Sequence, residues 1–263
     1  MAEWINAGRI EETAARKARR SLSTDACAVT VSVAAVFLAS MFAFGDRFGI
    51  DLVAAGAAAV IYAVVSVIAL RNLHAHGHGR FGAANVVTTV RAAITAALGG
   101  LVLASDQFGD VSQAGALWST GTVIGFVLAL DGIDGYLARR SGTTSRFGAR
   151  FDMEVDALLI LFLSLAAFLL NKAGAWVLLI GLMRYAFVAA QAIFPALRGE
   201  LHPSLRRKAI CVVQGATLCL MLFPVVMSPL SDVLAAGALV FLGYSFAADV
   251  VFLLKADRGS HAA

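Results

Sequence analysis

Residues 131–156 read DGIDGYLARRSGTTSRFGARFDMEVD, placing four aspartates and a glutamate in a chain that is otherwise almost wholly apolar. The stretch joins two apolar runs, residues 113–137 and 150–171. Across all 263 residues 60% are apolar and only 14% charged, whereas a soluble domain carries about half and a quarter. Apolar runs of about 20 residues cross hydrocarbon only as helices, because each backbone polar group must find its partner within the segment. The predicted fold is an all-α integral membrane protein, and a soluble domain is excluded.

Further apolar runs lie at 26–45, 51–70, 86–104, 173–196, 207–228 and 231–254, so about eight transmembrane helices are expected. Turn and breaker chemistry separates them, as in GDRFG at 45–49, SDQFGD at 105–110 and NKAG at 171–174. The joints at 71–91, 139–150 and 198–208, with the two tails, hold 18 of the 21 Lys and Arg, all but Arg47, Lys172 and Arg184. By the positive-inside rule both termini and the acidic stretch face the cytoplasm. Basic joints beside anionic headgroups account for the pI near 9.2 without nucleic acid.

ASMFA at 39–43 imitates a leader cleavage site, but it lies in a full-length apolar run, so an uncleaved first span is expected. Residues 1–25 mix Trp4, Ile5 and Ile10 with five Lys/Arg and read as an interfacial helix or a basic tail. Cys27, Cys211 and Cys219 are odd in number and scattered, which implies neither a disulfide framework nor a thiolate metal site. His74, His76 and His78 alternate in a glycine-rich stretch without the helical spacing of a zinc hydrolase, and a solvated loop is expected there.

Charges at membrane depth cost at least ~2.5–3.5 kcal/mol each, so a cluster is shielded or held for a purpose. Asp131, Asp134, Gly135 and Ala138 follow i, i+3, i+4, i+7 and share one helical face; Gly148, Asp152 and Asp156 follow i, i+4, i+8 and share another. The basic joint between them turns the chain, so the two faces can meet in a polar bowl open to the cytoplasm. Converging carboxylates repel unless cations intervene, and oxygen-only donors suit Mg²⁺ or Mn²⁺; two ions about 4 Å apart make a phosphoryl-transfer clamp. Gly135, Ala138 and Gly148 leave a small-walled slot, and Arg139 offers a fork for phosphate oxygens. The rival reading is a helical hairpin pinned by aspartates on Arg139, Arg140, Arg146 and Arg150, but such pairs do not require two acids one turn apart within an apolar run.

The string D-x2-D-G-x2-A-R-x8-G-x3-D-x3-D resembles the motif of the CDP-alcohol phosphotransferase family, with all eight fixed positions filled. Asn85, Thr88 and Arg91 are similar to the family's upstream N-x-x-T-x-x-R, although Ala84 stands where a proline is usual. The resemblance implies a six-helix catalytic core over 84–263, preceded by two extra helices and a loop over 26–83 and the segment 1–25. It implies that Asp131, Asp134, Asp152 and Asp156 hold two Mg²⁺ or Mn²⁺ ions, with Asp156 the catalytic base. Asn85, Thr88, Gly135, Ala138, Arg139 and Gly148 would contact the nucleotide. It further implies a homodimer in a bacterial inner membrane, taking CDP-diacylglycerol from the bilayer and a polar alcohol from the cytoplasm, and releasing CMP.

Arg184 lies alone inside an apolar span and is expected to face the bowl; Arg206, Arg207 and Lys208 open the seventh span. These four cations favour a phosphorylated acceptor, glycerol 3-phosphate or an inositol phosphate, over serine or choline. Choline-type relatives resemble the DG-x-DG opening at Asp131, Gly132, Asp134 and Gly135. A cation transporter would spread its acids through the membrane and show an internal repeat, whereas these gather at one side and no repeat is visible. A membrane scaffold is the remaining alternative.

Overall fold

The computed structural model describes residues 2–73, 76, 80–105, 108, 114–140, 145–199 and 204–261, with side chains for those between 21 and 130 and between 145 and 255. The described residues form α1 (Ala2–Phe48), α2 (Leu52–Arg71), α3 (Ala83–Ala104), α4 (Ala114–Arg140), α5 (Arg146–Leu169), α6 (Leu178–Ile193), α7 (Leu205–Leu222) and α8 (Leu230–His261), and no strand among them. Each expected apolar run has its helix. Among the described residues, the segments long and apolar enough to cross a membrane number five: Ser21–Phe48, Leu52–Arg71, Ala83–Ala104, Ala175–Ile193 and Leu230–Lys255. The apolar part of α4, Ala114–Leu130, is shorter. Of the remaining two helices, α5 carries Arg150, Asp152, Glu154 and Asp156 in its opening turns, and α7 opens on Arg206, Arg207 and Lys208. Those charges set them apart from a uniformly apolar span. The segment expected to stand apart at residues 1–25 continues without a break into the first span as α1.

The chain divides into two compact units. The first comprises Met1–Gly45, Ile50–Ala104 and Ala129–Val155. Its apolar half is built on small residues: a Cβ at Gly100 of α3 would stand 2.7 Å from Cβ of Ala58 and 2.8 Å from its backbone nitrogen in α2. Such contact lets helix backbones approach closely, which is how packing rather than hydrophobicity holds helices together in lipid. α1 joins through Phe37, whose ring lies 5.7 Å from that of Tyr62, and the Tyr62 hydroxyl donates to the Thr30 carbonyl at 3.0 Å. Gly100→Ala forces backbone to move and is expected to destabilise the protein by about 1–3 kcal/mol. A thermal scan in detergent checks this; an unshifted midpoint would mean that α2 and α3 part without cost.

At its other end the same unit gathers Leu22 and Ala26 of α1, Leu73, Phe81, Ala92 of α3, and Phe147, Phe151 and Val155 of α5 into one apolar cluster. Phe147 stacks on Phe151 at 5.7 Å and leans on Phe81 at 6.1 Å. Asp25 of α1 accepts the Phe81 N–H at 3.2 Å, two residues before α3 begins. The two helices outside the expected six-helix core thus bear directly on the start of α3.

The second unit comprises Asp46–Gly49, Ser105–Leu128 and Asp156–Ala263. Its turn after α7 is held by Lys172, a buried ammonium that donates to the carbonyls of Phe223, Pro224 and Val226 at 3.3, 3.4 and 2.7 Å. Trp118 of α4 meets Phe223 edge-on at 4.9 Å, and a Cβ at Gly121 would collide with that same ring at 2.9 Å. Where the start of α7 meets α8, Arg206 and Arg207 converge on Asp249.

Candidate functional site

Asp131, Asp134, Gly135, Ala138 and Arg139 fall on the last turns of α4, which remains helical to Arg140. Helical continuity keeps Asp131 and Asp134 one turn apart on one face; their side chains, with those of Gly135, Ala138 and Arg139, lie outside the described residues. α5 runs unbroken from Arg146 to Leu169, so Gly148, Asp152 and Asp156 keep their expected i, i+4, i+8 register.

The start of α5 is a built N-terminus. Ser145 sits at the cap: its backbone carbonyl accepts the Ala149 N–H at 3.1 Å and its hydroxyl oxygen accepts the Gly148 N–H at 2.9 Å. This satisfies amides that a helix start leaves without an intrahelical acceptor. Gly148 is required here for a reason beyond the slot expected from sequence. A Cβ on it would stand 2.8 Å from the Asn85 side-chain oxygen and 3.2 Å from the Ser145 oxygen, so the clearance is filled by Asn85 itself.

The structure therefore brings Asn85 and Gly148 together. Asn85 is buried and its amide donates to the Phe81 carbonyl, while Thr88, also buried, donates to the Ala84 carbonyl at 3.1 Å. One turn further along α3, Arg91 has no exposed side-chain surface, and its guanidinium donates to Asp152 at 2.5 Å. A charge-assisted bond of this kind fixes the carboxylate and the facing helices together. Asp152 keeps 34% of its side chain exposed, so it is anchored on one side and open on the other.

In the second unit, Asp156 is half-buried and Arg184 is half-buried on α6. Arg206 donates to Asp249 at 2.5 Å and lies 5.7 Å over the Tyr244 ring; Arg207 reaches the same carboxylate at 3.2 Å, and Lys208 is exposed. Two of the four cations expected to hold a phosphorylated acceptor thus share an aspartate.

His76 corrects the solvated loop expected from HAHGHG. It is 7% exposed rather than solvated: Nδ1 lies 2.8 Å from the Ser145 hydroxyl, Nε2 lies 2.8 Å from the Arg80 carbonyl, and the ring meets Phe147 edge-on at 5.6 Å. Only the alternate spacing within HAHGHG marked the residue. Ser145 was not singled out; the signal that could have found it is a serine standing just ahead of an apolar run, the usual place of a helix cap.

Among the described residues no three His, Cys, Asp or Glu side chains converge on a point. The donors expected to bind metal are carboxylate oxygens, the set that hard divalent cations take. Of the two described members, Asp152 and Asp156, Asp152 fits that use, since a metal-bound carboxylate is ordinarily held by a hydrogen-bond donor behind it and Arg91 stands there.

Compared with known proteins, the chain matches the family model for CDP-alcohol phosphatidyltransferase over residues 81–247. No curated protein and no solved structure matches it.

Proposed function

Since the chain belongs to the CDP-alcohol phosphatidyltransferase family, whose members make phospholipids by transferring a phosphatidyl group, we propose that it moves that group from CDP-diacylglycerol to a small polar alcohol. What supports the reading most is Asp152, a motif carboxylate about one-third exposed and held by the buried Arg91 of the upstream motif.

In the proposed reaction the acceptor hydroxyl oxygen attacks the lipid-bearing phosphorus. The new P–O bond forms as the bond to CMP breaks, and CMP leaves with the electron pair. Asp156 takes the hydroxyl proton, work for which a positioned carboxylate contributes about 10²–10⁴ in rate. Gly135, Ala138, Arg139, Gly148, Asn85 and Thr88 orient the cytidine diphosphate; in such transfers positioning and charge neutralisation supply most of the catalysis. Asp131, Asp134 and Asp152, with Asp156 beside them, would hold Mg²⁺ or Mn²⁺, which when bound neutralises charge on the diphosphate and on departing CMP. The active site faces the cytoplasm, and the protein works as a homodimer.

Arg184, with Arg206, Arg207 and Lys208, holds the phosphate of an acceptor such as glycerol 3-phosphate or an inositol phosphate. The convergence of Arg206 and Arg207 on Asp249 favours a second reading, an acceptor without phosphate such as serine or choline. Arg184→Ala separates the two: loss of a charged hydrogen bond should cut kcat/KM for a phosphorylated acceptor by about 10- to 100-fold and leave an unphosphorylated one nearly unchanged. Equal losses on both would remove the phosphate pocket.

The reading as a whole is tested by heating the purified protein with CMP, with Mg²⁺ and with both. A transferase is protected most by the two together, by mass action on the folded state. A transporter or scaffold gains nothing from CMP, and that result would end the proposal.

A further inference from the structure

We propose that His76, which lies upstream of the family-matched segment, is a positioning residue that sets the start of α5 through Ser145. The inference rests on the reading above only in holding that the opening turns of α5 carry the site.

The hydrogen-bond chain has a direction. The Arg80 carbonyl can only accept, so Nε2 of His76 carries the proton and donates to it at 2.8 Å. Nδ1 of the neutral ring is then an acceptor, and the Ser145 hydroxyl donates to it at 2.8 Å. With its proton committed, the Ser145 oxygen is aimed at the helix start, where it accepts the Gly148 N–H at 2.9 Å. The imidazole cannot easily turn away, because Phe147 meets it at 5.6 Å and Phe81 at 6.5 Å. A serine hydroxyl alone rotates freely; His76 removes that freedom. Gly148 is one turn before Asp152 on the same face, and it touches Asn85, so the angle at which α5 leaves its cap decides how both meet α3.

The test uses substitutions that separate the two ring nitrogens. His76→Asn keeps an oxygen where Nδ1 stood, ready to accept from Ser145; His76→Gln keeps a donor for the Arg80 carbonyl but offers Ser145 no acceptor; His76→Phe keeps only the ring. Hydrogen exchange over residues 146–149 is the first readout, and protection from heat by CMP with Mg²⁺ is the second.

Loss of a helix cap predicts about fivefold faster Gly148 exchange and about fivefold weaker CMP binding in His76→Phe and His76→Gln, with His76→Asn at wild-type values for both. Ser145→Ala reproduces the loss, and adding His76→Phe to it causes no further change, because the histidine acts only through the serine. Should His76→Phe prove too unstable to purify, His76→Gln and Ser145→Ala carry the comparison. Unchanged Gly148 exchange in His76→Gln, equal damage in His76→Asn, or additive losses in the double variant would each overturn the proposal. Wild-type protein that ignores CMP would instead sink the functional reading, while the exchange rates still decide the role of His76.

Discussion

Asp152→Asn is expected to lower phosphatidyl transfer by on the order of 10³-fold, because a neutral amide is a poorer ligand than the carboxylate for the divalent cation that would neutralise the diphosphate, an effect of several kcal/mol. The helical fold should survive, since the asparagine oxygen can still accept from the buried Arg91 guanidinium. Asp156→Asn is expected to fall by about 10²–10⁴ for a different reason, the loss of the group proposed to take the hydroxyl proton. Product formed from labelled CDP-diacylglycerol in membranes containing each variant measures both, with far-ultraviolet circular dichroism as the control for folding. Ordinary turnover in either variant contradicts the assigned chemistry.

The second large effect is on stability. Arg91→Met removes a charge that has no exposed surface and leaves Asp152 without the guanidinium 2.5 Å away. Breaking a buried ion pair from one side costs about 3–5 kcal/mol, and the lower end applies because Asp152 is one-third exposed and water compensates it in part. The thermal midpoint in detergent should drop by several degrees. Combining Arg91→Met with Asp152→Asn should cost less than the sum of the single changes, because the double variant strands no charge. A midpoint equal to that of the unaltered protein would show that the pair does not join α3 to α5.

What the sequence disclosed and what it hid follow from distance along the chain. Apolar runs announce helices because each helix satisfies its own backbone, and Gly148, Asp152 and Asp156 could be placed on one face because their spacing is local to α5. Membrane-grade composition was less uniform than the runs implied, since α5 and α7 open on charged turns that also carry the candidate chemistry. Contacts between distant segments were out of reach. Nothing near His76 indicates a hydroxyl 69 residues on, and nothing near Lys172 indicates three carbonyls more than 50 residues later. Arg91 was named by its spacing from Asn85 and Thr88; that it would be wholly buried and aimed at Asp152 required the packing of α3 on α5.

The fit of Gly100 against Ala54 and Ala58 also constrains how a fatty substrate can arrive. With α2 laid along α3, hydrocarbon on that flank meets Leu52, Val53, Val60 and Val64, all exposed, while Ala92, Ala93 and Ala96 of α3 are shut off. On the proposed reading, acyl tails would reach the reaction centre by some other doorway. A diazirine-bearing lipid should accordingly label α2 heavily and those three alanines hardly at all.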